Sequence, residues 1–231
     1  MSKKEEKVPV KKKVLFESSN IKVIESNSFG VNVSYAEINK NERATTVCIL
    51  PVRAGKEGKM EILTNIEFVP AWANFEDERF IVSISGGVDK EEEPLEAAAR
   101  ELAEETGYRC KMEDFSFLGS SYVHKATNAT VFCVLVDLSG KTPEERDPQD
   151  KIEEMIRNEW MPLVNVIQNS VDLVLRNMAI EFMYTLLVRD AREVKKDEMK
   201  KELESIKPNR RARRSTEKEM EKLGKQTKKA K

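Results

Sequence analysis

The chain has 231 residues, with 40 Lys/Arg, 41 Asp/Glu and a single His, and its formal net charge is −1. Because it has no CxxC pair and only one histidine, a zinc finger is not expected. Its length allows one domain with a substantial core plus extensions, and no apolar run approaches the roughly 20 residues that span a bilayer, so no membrane partner is expected. The opening MSKKEEKVPVKKK lacks the apolar stretch of a secretory signal, and three cysteines fit buried free thiols in a reducing, cytoplasmic setting.

The composition predicts five segments in chain order. Residues 1–13 form a charged and flexible N-terminus. Residues 14–43 contain short strand-like pieces (VLFE, IKVIES, FGVNVSYAEI) and predict a small antiparallel sheet, packed on or swapped with a partner. Residues 44–188 form the principal domain, followed by a charged helical extension at 189–206. Residues 207–231 carry eleven Lys/Arg against three Glu and few apolar residues, which predicts a disordered basic tail.

Within the principal domain, apolar patterns predict a sheet and a closing helix. TTVCILPVRA and MEILTNIEFVP flank a GKEG turn, and RFIVSISGG leads into a glycine-rich loop. FSFLGSSYV, ATVFCVLVDL and, after a polar loop, NEWMPLVNVI predict the remaining strands. A final helix should cover the core through apolar residues at helical spacing: Val171, Leu175, Met178, Phe182 and Leu186.

The segment from Gly86 to Tyr108, GGVDKEEEPLEAAARELAEETGY, is the most informative part of the chain. Pro94 suits a first helical turn, the following residues are good helix formers, and Gly107 supplies a C-terminal stop. Helical spacing gathers three carboxylates on one side of this helix, those of Glu101, Glu104 and Glu105. Clustered carboxylate oxygens suit Mg²⁺ or Mn²⁺, which can neutralise phosphate oxygens and activate water.

The spacing Gly-x5-Glu-x7-Arg-Glu-Leu-x-Glu-Glu-x-Gly-Tyr resembles the signature box of the Nudix hydrolases at every fixed position. The resemblance covers roughly residues 14–187. It implies an α/β fold: a Nudix α/β/α sandwich with a mixed sheet, the small N-terminal sheet and the basic C-terminal extension. The N-terminal strands and the segment Trp160-x-Pro162-Leu163 look most like the ADP-ribose/ADP-sugar pyrophosphatase branch, whose members are commonly homodimers built through those strands.

The resemblance also implies roles for the residues of the box. Glu101 and Glu105 would be metal ligands, and Glu104 a further ligand or the group that positions water. The carbonyl of Gly86 would complete the metal site, and Arg100 would orient the glutamates. The remaining two positions have supporting roles, with Glu92 as partner of Arg100 and Gly107 as a structural turn.

Two positions depart from the ADP-ribose branch. His124 stands where a proline followed by an acidic residue is expected, and IEFVP stands where an arginine is expected. His124 is therefore either a substrate contact or an incidental loop histidine. A loop carries the general base in related enzymes, and here KTPEERDPQDKIEE offers Glu144, Glu145 and Asp147.

Three readings of function follow. The first is a hydrolase that cleaves a nucleoside diphosphate linked to another moiety, of the ADP-ribose or nucleotide-sugar type, into a nucleoside monophosphate and a phosphorylated product. The second makes capped RNA the substrate, held by the basic tail, which could equally bind an acidic partner. The third is a non-catalytic module that senses a nucleotide or scaffolds a partner.

Overall fold

The computed structural model describes residues 11–19, 21–28, 31–38, 45–55, 58–75, 78–149, 151–205 and 221. The predicted basic tail lies outside the described residues apart from Glu221, as does the N-terminus up to residue 10. The chain forms two compact units, Met1–Met178 and Ala179–Lys231.

The small N-terminal sheet is confirmed. Strands β1 (Lys11–Glu17), β2 (Ile21–Ser28) and β3 (Val31–Ile38) pair antiparallel in the order β1-β2-β3. Strand β1 begins at Lys11, so it includes three lysines that the sequence pattern assigned to the flexible N-terminus. Within β3, Ala36 donates its N–H to the carbonyl of Ala126 at 2.8 Å, and its carbonyl accepts the N–H of Asn128 at 3.2 Å. The small sheet is thus attached to a loop of the principal domain.

The principal domain is built on a seven-stranded mixed sheet. Its strands are β4 (Thr46–Ala54), β5 (Met60–Glu67), β6 (Phe80–Val82), β7 (Ile84–Gly87), β8 (Phe115–Tyr122), β9 (Thr130–Asp137) and β10 (Arg157–Pro162). The order is β10-β5-β4-β9-β8, with β6 on β5 and β7 on β4. Only the β4–β9 pair is parallel among these described strands. The strands predicted from the sequence are present, two of them with changed bounds.

Strand β4 is buried on both faces, from Val47 to Val52. Successive side chains of a strand point to opposite faces. Val47 and Ile49 belong to the apolar core that includes helix α1 (Pro94–Thr106). Cys48, on the other face, accepts a hydrogen bond from Ser83, which also binds Asp172 at the start of helix α4 (Leu173–Ser205). The sheet is therefore covered on both faces, and the predicted α/β/α arrangement is confirmed.

Helix α1 confirms the helix predicted from the box. Pro94 occupies its first turn, and Glu93 and Glu96 exchange capping hydrogen bonds. Gly107 ends the helix with φ +77°, a left-handed conformation that a residue with a β carbon adopts only at a cost. The motif thus sets both ends of the helix that carries the glutamates.

Two predicted strands are corrected. RFIVSISGG is not one strand, because Ser83 separates β6 from β7 and donates its N–H and hydroxyl to Asp172. NEWMPLVNVI is strand only as far as Pro162. Helix α3 (Leu163–Asn169) follows, since Leu163 and Val166 are buried at helical spacing. A short helix, α2 (Lys151–Met155), precedes β10.

The closing helix is present, but its predicted apolar face is only partly buried. Leu175 and Met178 are buried as predicted, whereas Phe182 and Leu186 are half-buried. Val171 precedes α4 and is 57% exposed. Asp172 begins the helix by accepting the N–H groups of Val174 and Leu175. None of the described helices is long and apolar enough to span a membrane.

Candidate active site

Helix α1 and strand β7 bring the predicted box residues together. Glu101 and Glu105 are buried on the helix, and Glu104 is half-buried beside them. The backbone of Gly86 lies directly against the carboxylate of Glu101, so close that a β carbon on residue 86 would overlap it. Glycine is required here because the strand must approach the carboxylate.

Arg100 organises the acidic side of the helix. Its Nε and Nη2 bind the two oxygens of Glu92 at 2.9 and 3.0 Å, and Nη2 also donates to the carbonyl of Gly87 at 2.9 Å. Its Nη1 donates to Glu101 Oε1 at 2.7 Å and to Glu104 Oε2 at 3.0 Å. These contacts lower the pKa of Glu92, and the Glu92 contact is the largest cause that raises the pKa of Arg100. The partnership predicted for Arg100 and Glu92 is present in the geometry.

The carboxylate of Glu105 is held by two asparagine side chains that are hydrogen-bonded in series. Asn65 on β5 donates its Nδ2 to Glu105 Oε2 at 2.8 Å, and Asn158 on β10 donates its Nδ2 to Asn65 Oδ1 at 2.8 Å. Burial raises the pKa of Glu105 well above its ordinary value, and the Asn65 hydrogen bond opposes that rise. An ionised Glu105 therefore calls for a positive charge nearby.

A fourth carboxylate, that of Glu153 on α2, acts on the box glutamates through its charge. Burial is the main cause that raises the pKa of Glu101, and Arg100 opposes it. The negative charge of Glu153 raises the pKa of both Glu101 and Glu105 further. Sequence reasoning missed Glu153, although it lies in the same KIEE segment that closes the predicted base-bearing loop.

The loop before α2 is held in place by hydrogen bonds from Arg146 and Gln149. Arg146 donates from Nη1 to the carbonyl of Ile156 at 2.7 Å and from Nη2 to that of Glu153 at 2.6 Å. Gln149 donates its backbone N–H to Glu153 Oε2 at 2.6 Å. These contacts hold Glu153 in place at the start of α2.

The two glutamates predicted as general bases lie earlier in that loop, and both are exposed. Glu144 pairs with Arg109 at 2.7 Å, and its backbone packs on Gly107, to whose carbonyl it donates its N–H at 2.9 Å. The structure gives no contact between Glu145 and the box glutamates.

His124 lies away from the box, at the end of the β8–β9 hairpin. It is exposed, and its Nδ1 accepts the N–H of Ala126 at 3.1 Å. With its neighbours it lines an open groove of about 610 Å³, formed by Tyr122, Val123, His124, Lys125 and Thr127. Strand register places Gly87, Thr46, Val131 and Ser121 side by side. Three strand spacings therefore separate the box from the groove, roughly 14 Å.

The residues present fit a divalent cation. Their donors are the carboxylates of α1 and the carbonyl of Gly86, all oxygens of the kind that hard cations take. Among the residues that the structure describes, no three acidic, His or Cys side chains are already gathered as a ligand set. Glu101 and Glu104 share Arg100 Nη1, whereas Glu105 is hydrogen-bonded to Asn65. Bound metal would supply the positive charge that buried Glu105 lacks.

Comparison with known proteins shows the family of the chain. The family model described as NUDIX domain matches residues 42–198, more than half of the chain. A crystal structure of an ADP compounds hydrolase matches with a TM-score of 0.56 and 17% identity, covering 82% of this chain and 98% of that one. A C. elegans Ap4A hydrolase structure matches with a TM-score of 0.46 and 18% identity, covering 62% and 98%. No curated protein sequence matches the chain.

The chain therefore belongs to the Nudix family. It is a Nudix hydrolase with the mixed sheet and helices of that fold, which confirms the family and the fold class expected from the box. Nudix hydrolases generally use divalent metal ions.

Proposed function

We propose that this protein is a metal-dependent pyrophosphohydrolase that cleaves a nucleoside diphosphate linked to another moiety. Its products would be a nucleoside monophosphate and a phosphorylated second product. The observation that carries this proposal is the close approach of Gly86 to the carboxylate of Glu101, beside Glu104 and Glu105. That arrangement places the backbone of Gly86 against the carboxylate of Glu101, in a fold whose family hydrolyses such bonds.

Glu101, Glu104, Glu105 and the carbonyl of Gly86 would hold Mg²⁺ or Mn²⁺. When bound, such a cation neutralises phosphate oxygens and lowers the pKa of water. Arg100 keeps Glu101 and Glu104 oriented and stays charged throughout. In the reaction, the oxygen of water forms a bond to one phosphorus, the bridging P–O bond breaks, and a carboxylate of the protein accepts the proton of water.

Four carboxylates are candidates for that proton acceptor. Glu144, Glu145 and Asp147 are the candidates from the sequence, and all three are exposed. Glu153 is the candidate from the structure. We favour Glu153, because its charge acts on Glu101 and Glu105.

For the substrate we favour ADP-ribose or a nucleotide sugar. A similar solved structure, with a TM-score of 0.56, is described as an ADP compounds hydrolase. The groove beside His124 lies roughly 14 Å from the box, a span that a nucleoside diphosphate can bridge. Tyr122 and Lys125 in that groove offer a flat ring and a positive charge to a base and a phosphate.

We further propose a cytoplasmic homodimer, in which the small N-terminal sheet supplies the interface. Exposed apolar side chains on that sheet support this: Val14, Leu15, Phe16, Val31 and Val33 are all about half exposed or more.

Cleavage of capped RNA is the alternative, favoured by the eleven Lys/Arg of residues 207–231. A non-catalytic nucleotide sensor or scaffold is the second alternative. The complete set of box glutamates argues against it, because a binding module gains nothing from burying two repelling carboxylates.

A substrate panel tests the proposal. The full chain is incubated with Mg²⁺ or Mn²⁺ and ADP-ribose, nucleotide sugars, NADH, diadenosine polyphosphates or capped RNA, beside a Glu104→Gln control. We expect monophosphate release from a sugar-linked diphosphate by the wild type only. Cleavage of capped RNA alone, lost at high salt or on deletion of residues 207–231, would establish the alternative. No release above the control would refute hydrolysis.

A further inference from the structure

Two asparagines on neighbouring strands meet the box helix at Glu105. Asn65 and Asn158 are directly opposite each other in the antiparallel β5–β10 pair. Asn65 is 1% exposed in the interior of a strand, a position where asparagine is disfavoured unless its amide is hydrogen-bonded. Both of its amide atoms are used, as the donor to Glu105 and the acceptor from Asn158.

The two hydrogen bonds together define the orientation of the Asn65 amide. The Asn158 Nδ2 donates to Asn65 Oδ1, so the Asn65 side chain must present its Nδ2 to Glu105. A flipped Asn65 would place two donors together at one end and two acceptors at the other. Asn158 therefore holds the Asn65 amide at its Oδ1, and Asn65 holds Glu105 Oε2 through its Nδ2.

Only one oxygen of Glu105 is engaged in this way. Among the described residues, Glu105 Oε1 accepts no hydrogen bond, whereas Oε2 is held at 2.8 Å. A carboxylate fixed through one oxygen keeps one rotamer and offers the other oxygen to a ligand. Groups that orient metal ligands in this manner typically alter metal affinity by about 10–100-fold when removed.

We infer that Asn65 and Asn158 are positioning residues that hold Glu105 in the geometry required to bind the divalent cation. This inference rests on the proposed function, because Glu105 is a ligand only if the box binds metal. The two asparagines act through Glu105 and touch neither metal nor substrate.

Substitutions at Asn65 separate positioning from packing. Asn65→Asp keeps the size and the acceptor for Asn158 but loses the donor to Glu105. Asn65→Leu removes both hydrogen bonds. The double variant Asn65→Asp/Glu105→Gln restores one hydrogen bond with donor and acceptor exchanged, so it should recover the thermal stability of the metal-free protein without recovering a ligand.

The experiment measures Mn²⁺ binding to the full chain by calorimetry without substrate, together with kcat, KM and thermal unfolding. We expect Asn65→Asp and Asn65→Leu to weaken Mn²⁺ binding by about tenfold or more and to lower kcat more than they raise KM. Asn158→Ala should also weaken Mn²⁺ binding and lower kcat, but by smaller factors. Asn32→Ala is the matched control, since it removes an amide pair with Asn27 (2.6 Å) on the small sheet.

The outcomes are distinct. If the wild type binds Mn²⁺ and hydrolyses a diphosphate while both Asn65 variants bind Mn²⁺ within twofold of it, the positioning role is refuted and the proposed function stands. If Mn²⁺ binding follows Asn65 but no diphosphate is hydrolysed, positioning is supported and the proposed function is refuted. A wild type that binds no Mn²⁺ overturns both.

Discussion

The backbone of Gly86 runs so close to the carboxylate of Glu101 that residue 86 has no room for a β carbon. Gly86→Ala must therefore displace either β7 or the glutamate. Because misplacement of a catalytic group by about 1 Å can cost about a hundredfold in rate, we expect a loss of that order in kcat. Steady-state kinetics with Mg²⁺ measures it.

Gly119 provides the matched control for that substitution. It lies in β8, and a β carbon there would meet no atom within 4 Å. Gly119→Ala should leave kcat within about twofold of the wild type. Equal activity of the two alanine variants would show that the approach of Gly86 is not needed for the reaction.

Arg100 is expected to stabilise the protein mainly when no metal is bound. Arg100→Lys loses the paired contact with Glu92, and a single ammonium cannot also reach Glu101, Glu104 and Gly87. Since Arg100 is about a third exposed, we expect the free energy of unfolding in EDTA to fall by about 1–2 kcal/mol.

Urea unfolding with and without Mn²⁺ tests this role. Mn²⁺ should raise the free energy of unfolding more in Arg100→Lys than in the wild type, because the cation then neutralises carboxylates that have lost the charge of Arg100. An unfolding free energy equal to that of the wild type in EDTA would contradict the prediction.

Glu67 should make stability depend on pH. Burial, and next the charge of Asp172, raise the pKa of Glu67 to about 6. A carboxyl whose pKa is higher in the folded protein favours folding while protonated, and this contribution is lost as pH rises from about 4.5 through 6. Glu67→Gln should therefore match the wild type near pH 4.5 and exceed it above pH 7.

The difference at high pH should be on the order of 1 kcal/mol, because Glu67 is only partly buried and solvent reduces the effect. Urea unfolding in EDTA from pH 4.5 to 8 measures it for both proteins. A constant difference across that range would show that Glu67 has the same pKa in the folded and unfolded states.

Substitution of Glu144, Glu145 and Glu153 distinguishes the glutamates among the candidate proton acceptors. Glu153→Gln should lower kcat by about 10²–10⁴-fold and remove the acidic limb of the pH–rate profile, as expected for loss of a general base. Glu144→Gln and Glu145→Gln should change kcat little. A large loss confined to either of those variants would assign the base there instead.

The box could be predicted in detail because its constraints are local. Pro94, the glutamates at helical spacing and Gly107 specify the start, one face and the end of α1 within a single segment. The strands were predicted for a similar reason, since their apolar runs are bounded by polar turns. Local signals of this kind need no knowledge of the partner strands.

The rest of the site depends on contacts between distant segments. Asn65 and Glu105 are 40 residues apart, and Ser83 is bound to an Asp172 that is 89 residues away. The spacing of apolar and polar residues along the sequence does not indicate such pairs. The polar Asn65 within an otherwise apolar strand was the available signal, and Glu153 had none beyond its place in a charged segment.

Hydrolysis in ¹⁸O-labelled water tests the central claim most directly. The wild type is incubated with Mg²⁺ and the panel of diphosphates, beside Glu104→Gln, and the products are analysed by mass spectrometry. The account predicts a nucleoside monophosphate and a phosphorylated product, one ¹⁸O in one of them, and a rate about 10²–10³-fold lower for Glu104→Gln. Release of no monophosphate above the level of Glu104→Gln, or products free of ¹⁸O, would contradict it.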